Sequence, residues 1–278
     1  MIINFFQIIF YALLQGVTEL FPISSLGHTV ISTALLRWTN ILNSDQFVPI
    51  TVALHLGTTV ALVIYFRKEW LELITNIYKN LKEGEVKQGG EDWVSWLVIL
   101  GCIPAGLIGV FLEKPIKELF KSPSIIAVFL VINGIILLIG EKVKNSQKNK
   151  IREIRNLKWY EALIIGSAQA FALIPGISRS GITMVGGLFS GLTHTNAAKY
   201  SFLLGTPLIG AAAVLEIPQL FSATNLNLWV ILVGTILSGI TAYISTVFLL
   251  KYFKFGNLKP FGYYCIAFGL IAFVILMM

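Results

Sequence analysis

The chain has 278 residues, 56% of them hydrophobic and only 13% charged, and its mean hydropathy is +0.79. A soluble domain carries nearly twice that share of charge, and the net charge of +7 comes with no basic stripe interleaved with aromatics. Soluble enzymes and nucleic-acid binders are therefore excluded in favour of an integral membrane protein, for which excess Lys and Arg report topology.

Residues 1–14 lack a basic leader and run into Gln15 and Glu19 with no small-residue cleavage pattern, so no signal peptide is read there. A first apolar region, 2–37, has a polar centre from Gln15 to His28, and spans are predicted at about 46–66, 93–112 and 123–140. A basic connector covers 146–158. A second interrupted region, 159–192, has a polar centre from Gln169 to Thr183, and spans follow at about 196–217, 227–250 and 258–277. The arms of both interrupted regions are about 14 residues, too short to cross a bilayer alone, which predicts re-entrant helical hairpins. Cys102 and Cys265 sit in hydrophobic runs and read as packing residues, with no disulfide framework or metal knuckle.

The two interrupted regions echo one another. At an offset of 154, Gln15 matches Gln169, Ile23 matches Ile177, Ser24 matches Ser178 and Gly27 matches Gly181. His55-Leu56-Gly57-Thr58 lines up with Leu203-Leu204-Gly205-Thr206 at a slightly shorter offset. The predicted fold is thus an all-α integral membrane protein with an inverted-topology repeat, halves 1–145 and 159–278. Each half is a hairpin followed by three spans, making six full spans and two re-entrant hairpins in all. Under the positive-inside rule 4 basic residues fall on one side and 16 on the other, with Arg179 set apart. That predicts a cytoplasmic connector and termini facing outward.

The first polar centre is rich in reactive groups. Gln15 and Glu19 share a helix face, and Pro22 ends that helix. Ser24 or Ser25 caps the next helix, with Gly27 and His28 in its first turn. In the second centre, Pro175 and Gly176 break the chain, Ser178 is placed as a cap, Arg179, Ser180 and Gly181 fill the first turn, and Thr183 lies one turn on. An arginine at mid-depth costs about 2.5–3.5 kcal/mol on insertion scales, a cost tolerated when it holds an anion. Two helix N-termini and a guanidinium describe a phosphate site. Glu19, Ser25 and His28 add groups suited to attack on phosphorus, and a divalent cation would neutralise substrate charge. The plainer reading makes the serines caps and Glu19 an ion or proton site. His55 reads as a packing residue that steadies the first loop, and His194 as solvated.

At these two loops the sequence resembles the bacterial undecaprenyl-diphosphatases, also called bacitracin-resistance proteins. The first family motif is matched by Gln15, Glu19, Pro22, Ser24, Ser25, Gly27 and His28, and the second by Pro175 through Gly181. The resemblance implies hydrolysis of undecaprenyl diphosphate to undecaprenyl phosphate and inorganic phosphate. It also implies a divalent cation, Mg2+ or Ca2+, and a site open to the outer face of the bacterial cytoplasmic membrane. By position it makes Glu19 and His28 acid/base or metal-associated groups, with Glu19 as the metal-linked one. Ser25 becomes the nucleophile and Arg179 the phosphate clamp. Gln15, Ser24, Gly27, Gln169, Ser178, Ser180, Gly181 and Thr183 are the substrate-binding set. Gln15 stands where many members have glutamate, and Leu26 where many have a small hydroxyl residue. The partners so implied are a polyprenyl diphosphate and the bilayer, with no nucleic acid; a homodimer stays open. A flippase for polyprenyl phosphates using the same anion site is the alternative, and a structural role in an envelope-synthesis complex ranks last.

Overall fold

The computed structural model describes residues 3–42, 44, 46–90, 92–119, 122–146, 151–222 and 227–278. Lys121, Lys148 and Lys150 of the topology count lie outside them. Among the described residues the structure is helical, with one isolated bridge between Arg152 and Leu192.

Helix α1 (Phe5–Thr18) opens on a capping box in which Asn4 and Gln7 satisfy each other's backbone N–H groups. It stops at Glu19, three residues before Pro22. Helix α2 (Ser25–Leu35) starts on a Ser24 cap and is followed by a short turn, α3 (Thr39–Leu42), and by the span α4 (Phe47–Tyr65). Most of the charged stretch after α4 is a helix, α5 (Arg67–Glu83). Most of its charges fall on one side, while Leu71, Ile74, Tyr78 and Leu81 form an exposed stripe at helical spacing. Helices α6 (Trp93–Leu119) and α7 (Pro123–Ser146) complete the first half. In the second half, α8 (Trp159–Ala170) and α9 (Arg179–Phe189) flank the other break, and α10 (His194–Ser222), α11 (Leu228–Tyr252) and α12 (Lys259–Met277) follow.

Five of these helices, α4, α7, α10, α11 and α12, are long and apolar enough to cross a membrane. The remaining predicted span lies in α6, whose described apolar stretch is Trp93–Gly109. At 1.5 Å per residue α1, α2, α8 and α9 are each about 16–21 Å long, against about 30 Å of hydrocarbon. Large side chains such as Phe111, Trp229 and Ile244 are exposed on the outer surface, where a soluble protein would bury them. The chain is a multi-pass membrane protein.

Close helix packing positions the breaks. Gly16 of α1 lies against α11, where an added Cβ would stand 2.6 Å from Ser238 O. Gly166 of α8 lies against α6 in the same way, its Cβ position overlapping the Gly101 carbonyl. Small residues allow such approach in lipid, where van der Waals contact drives association. His194, expected to be solvated, instead begins α10 with Nε2 2.8 Å from Glu141 Oε2 and its ring stacked on Phe253.

Candidate active site at the two helix breaks

The breaks touch. Ser24 has φ +68°, a left-handed value that few non-glycine residues adopt. That conformation turns its Oγ to accept from Gly27 N at 3.3 Å and, across the break, from Gly176 N at 3.2 Å. Gly176 has φ +103° and leaves no space for a side chain, since an added Cβ would stand 2.6 Å from Ile126 O. Ser180 Oγ donates to Phe21 O at 3.0 Å. Ser178 caps α9 by accepting from Gly181 N at 3.1 Å, and its Oγ lies 3.0 Å from Ser180 Oγ. Of the two serines offered as the first cap, Ser24 takes the position and Ser25 is the first residue of α2, while Ser178 caps α9 as expected.

A residue that sequence reading missed joins both breaks. Asn133, fully buried in α7, donates through Nδ2 to Pro22 O at 3.0 Å and accepts through Oδ1 from Ser178 N at 2.9 Å. A lone amide inside an apolar span is a sequence signal for such a role, because unpaired polar groups are costly in lipid.

Glu19 is the centre of the cluster. Its Oε2 accepts from Ser25 Oγ at 2.6 Å and from Gln15 Nε2 at 3.2 Å, and His55 Nε2 faces the same oxygen at 3.4 Å. Its Oε1 accepts from Arg179 Nη2 at 3.0 Å. This ion pair spans 160 positions and is nearly sealed, with side-chain exposures of 7% for Glu19 and 14% for Arg179. His55 Nδ1 lies 2.8 Å from Thr51 O, and a carbonyl only accepts, so Nδ1 carries a proton. The ring is thereby fixed with Nε2 toward the carboxylate, so that His55 steadies the first loop by direct contact with Glu19.

Arg179 is held at both ends of its fork, by Glu19 and by Ser201 O, which accepts from Nη1 at 2.9 Å. Its Nε is buried with no hydrogen-bond partner among the described residues. Thr183 Oγ1 bonds Arg179 O at 2.8 Å and meets Ser201 Oγ at 2.6 Å, tying α9 to α10. Gln169 is 2% exposed, and neither its Nε2 nor its Oε1 has a hydrogen-bond partner among the described residues. Gln15 and Gln169 therefore differ: the first is bonded to Glu19, the second is open.

His28 stands apart from this group. Nδ1 donates to Ser24 O at 2.8 Å, and Nε2 lies 2.9 Å from Tyr264 Oη. The ring lies parallel to those of Tyr264 and Phe268 of α12, with centroids at 5.6 and 5.0 Å. Both nitrogens are thus engaged away from Glu19, Ser25 and Arg179.

Chemically, the arrangement offers a hydroxyl whose proton already points at a carboxylate, with a guanidinium beside it. A preformed metal cage is not built here, since no group of three His, Cys, Asp or Glu side chains stands together among the described residues. Glu19 Oε1, which has one protein donor, fits a cation that takes its remaining ligands from phosphate oxygens and water, the usual habit of Mg2+.

Comparison with known proteins agrees over nearly the whole chain. A family model described as "Bacitracin resistance protein BacA" matches residues 8–271. A protein of Chromobacterium violaceum named undecaprenyl-diphosphatase 2 is 44% identical over 273 residues, covering 96% of this chain and 97% of its own length. An undecaprenyl-diphosphatase 2 of Burkholderia thailandensis is 45% identical over 264 residues, covering 95% and 94%. An undecaprenyl-diphosphatase 1 of Burkholderia pseudomallei is 44% identical over the same length.

Proposed function

This chain belongs to the bacitracin resistance protein BacA family, and from that premise we propose that it hydrolyses undecaprenyl diphosphate to undecaprenyl phosphate and inorganic phosphate. Such an activity returns the lipid carrier to cell-wall synthesis and underlies resistance to bacitracin. The observation that carries the reading is the Ser25 Oγ–H donated to Glu19 Oε2 at 2.6 Å, with Arg179 on the other carboxylate oxygen.

In the proposed reaction the terminal phosphate enters between the breaks and takes the free Nε–H of Arg179. Glu19 accepts the Ser25 proton as Oγ attacks the terminal phosphorus. The bridging P–O bond breaks, and undecaprenyl phosphate leaves with its electron pair. Glu19 passes the Ser25 proton to the departing undecaprenyl phosphate. It then takes a proton from the water that attacks phosphorus and returns it to Ser25 Oγ as the phosphoserine bond breaks, which gives inorganic phosphate and free Ser25. His28 and Tyr264 hold the start of α2, and His55 and Gln15 hold Glu19. A divalent cation, Mg2+ or Ca2+, would be held by Glu19 with the diphosphate oxygens and would neutralise charge on the leaving group.

The membrane arrangement belongs to the same proposal. Its support is a set of packing relations that swap between halves: α1 lies on α11 as α8 lies on α6, α2 on α12 as α9 on α7, and α4 meets α10 while α7 meets α12. Such exchange is what a pseudo-twofold between inverted repeats produces, with α1–α2 and α8–α9 as re-entrant hairpins. The basic connector then faces the cytoplasm, the termini face outward, and the site opens toward the exterior of the bacterial cytoplasmic membrane.

The test is phosphate release from undecaprenyl diphosphate by the purified protein in detergent, with and without chelator. Release that requires Mg2+ or Ca2+ is expected. Lipid translocation in liposomes without phosphate release would replace this reading by a flippase.

A further inference from the structure

We infer that Gly205 is a positioning residue for the phosphate clamp: the missing side chain at this point of α10 is the seat of the Arg179 guanidinium. The inference rests on the phosphatase reading and names a residue that acts through Arg179 without touching substrate. A Cβ built at Gly205 would overlap Arg179 Nη1 and Cζ and stand 2.6 Å from Nη2. These are the three nearest atoms to that position, so the guanidinium fills the space a side chain would take. Glycine is disfavoured inside a helix relative to alanine, and α10 carries it here in mid-span.

The same absence uncovers an acceptor. Ser201 lies one helical turn before Gly205, and its carbonyl takes Nη1 at 2.9 Å. In a helix that carbonyl is flanked by the residue four positions on, so a side chain at 205 would stand over it. Ser201 is itself anchored, because its Oγ meets Thr183 Oγ1 at 2.6 Å and approaches Ser180 O at 3.3 Å. The turn Ser201–Gly205 is thus fixed to the helix that carries Arg179. With Nη1 on Ser201 O and Nη2 on Glu19 Oε1, the guanidinium plane is set, and the buried Nε–H is left for the phosphate.

The echo of this position in the first half has another use. Gly57, matched to Gly205 by sequence, lies against the Thr235 carbonyl of α11 and serves helix packing. One glycine of the pair holds scaffold, the other holds a functional side chain.

The experiment compares Gly205→Ala with Gly106→Ala, a helix glycine whose added Cβ meets only Leu208 Cδ2 at an ordinary 3.6 Å. Phosphate release by wild type and Gly106→Ala is expected to agree. Gly205→Ala should elute like wild type in detergent, because the overlapping atoms end a flexible side chain that can swing away. It should lose on the order of 100-fold in kcat/KM, the scale of a misplaced catalytic group. In an Arg179→Ala background the Gly205→Ala change should hold or raise the thermal midpoint, since alanine favours the helix, whereas it lowers the midpoint when Arg179 is present. Activity of Gly205→Ala within threefold of wild type, or an equal drop in midpoint in both backgrounds, overturns the seat. A wild-type protein that releases no phosphate defeats the proposed function instead, and the melting cycle still decides the role of Gly205.

Discussion

Ser24 and Gly176 are 152 positions apart, and the Gly176 N–H donates to Ser24 Oγ at 3.2 Å. One hydroxyl therefore caps α2 and closes the second break. Ser24→Ala loses both bonds and keeps the left-handed backbone, so it should cost about 1–2 kcal/mol, the upper range for a lost cap. Ser24→Gly relieves the φ of +68° and should cost less than the alanine. Denaturation in mixed micelles measures both, and an alanine as stable as wild type would refute the bridge.

Asn133 is the second joint. Asn133→Leu keeps the branching but strands Pro22 O and Ser178 N, two buried backbone groups, each costing about 1–3 kcal/mol when unpaired. The variant should lose stability and activity together, because both breaks shift. Asn133→Asp restores an acceptor for Ser178 N, yet at the cost of a buried charge, and should rank no better than Leu. The ranking is read from melting midpoints beside turnover.

What could be read from the sequence follows the range of the forces involved. Pro22, Ser24, Pro175, Gly176 and Ser178 act on their own chain neighbours, so helix ends and caps were legible. The Glu19–Ser25 contact is six residues long and was also within reach. Asn133, Ser201, Gly205 and Tyr264 meet the breaks across distant stretches of chain, and apolar spans carry little in their own pattern to announce which neighbour they face. His28 shows the limit: its place in the motif was clear, but its ring direction is set by Tyr264 and Phe268, 236 and more positions away.

Tyr264 tests the direction of His28. Tyr264→Phe removes the Nε2 partner at 2.9 Å but keeps the stacked ring. If His28 works by holding the start of α2, this variant should keep turnover within about tenfold, the span of one ordinary hydrogen bond. His28→Ala, which removes both bonds and the stack, should fall further. A Tyr264→Phe as inactive as His28→Ala would place the hydroxyl in the chemistry itself.

Glu69 ties α5 to α10 through Lys199 at 2.9 Å. Partial burial pushes its carboxyl up, but the hydrogen bond and charge of Lys199 outweigh that and hold it below the usual carboxylate range. A lowered folded value means the stabilisation is complete above the unfolded pKa, near 4.3. It is lost only as pH falls through the folded value. Glu69→Gln should therefore be less stable than wild type at pH 7, with the gap unchanged from pH 8 to pH 5 and closing in stronger acid. Melting curves at each pH report it, and a gap that opens toward low pH would reverse the sign.

Ser25 and Glu19 share one proton path, and a double-mutant cycle reads whether they act as a unit. Glu19→Gln keeps the shape and loses the proton acceptor, so kcat should fall by about 10²–10⁴. Ser25→Ala removes the attacking oxygen and should fall at least as far. Residues that form one machine are not additive, so Glu19→Gln with Ser25→Ala should resemble the worse single variant. A substrate radiolabelled in the terminal phosphate should leave label on wild-type protein after an acid quench, and none on Ser25→Ala. Independent losses in the cycle, together with no trapped label in wild type, would move the attack from Ser25 to a water held beside Glu19. In that event the 2.6 Å bond would orient the carboxylate instead of activating the serine.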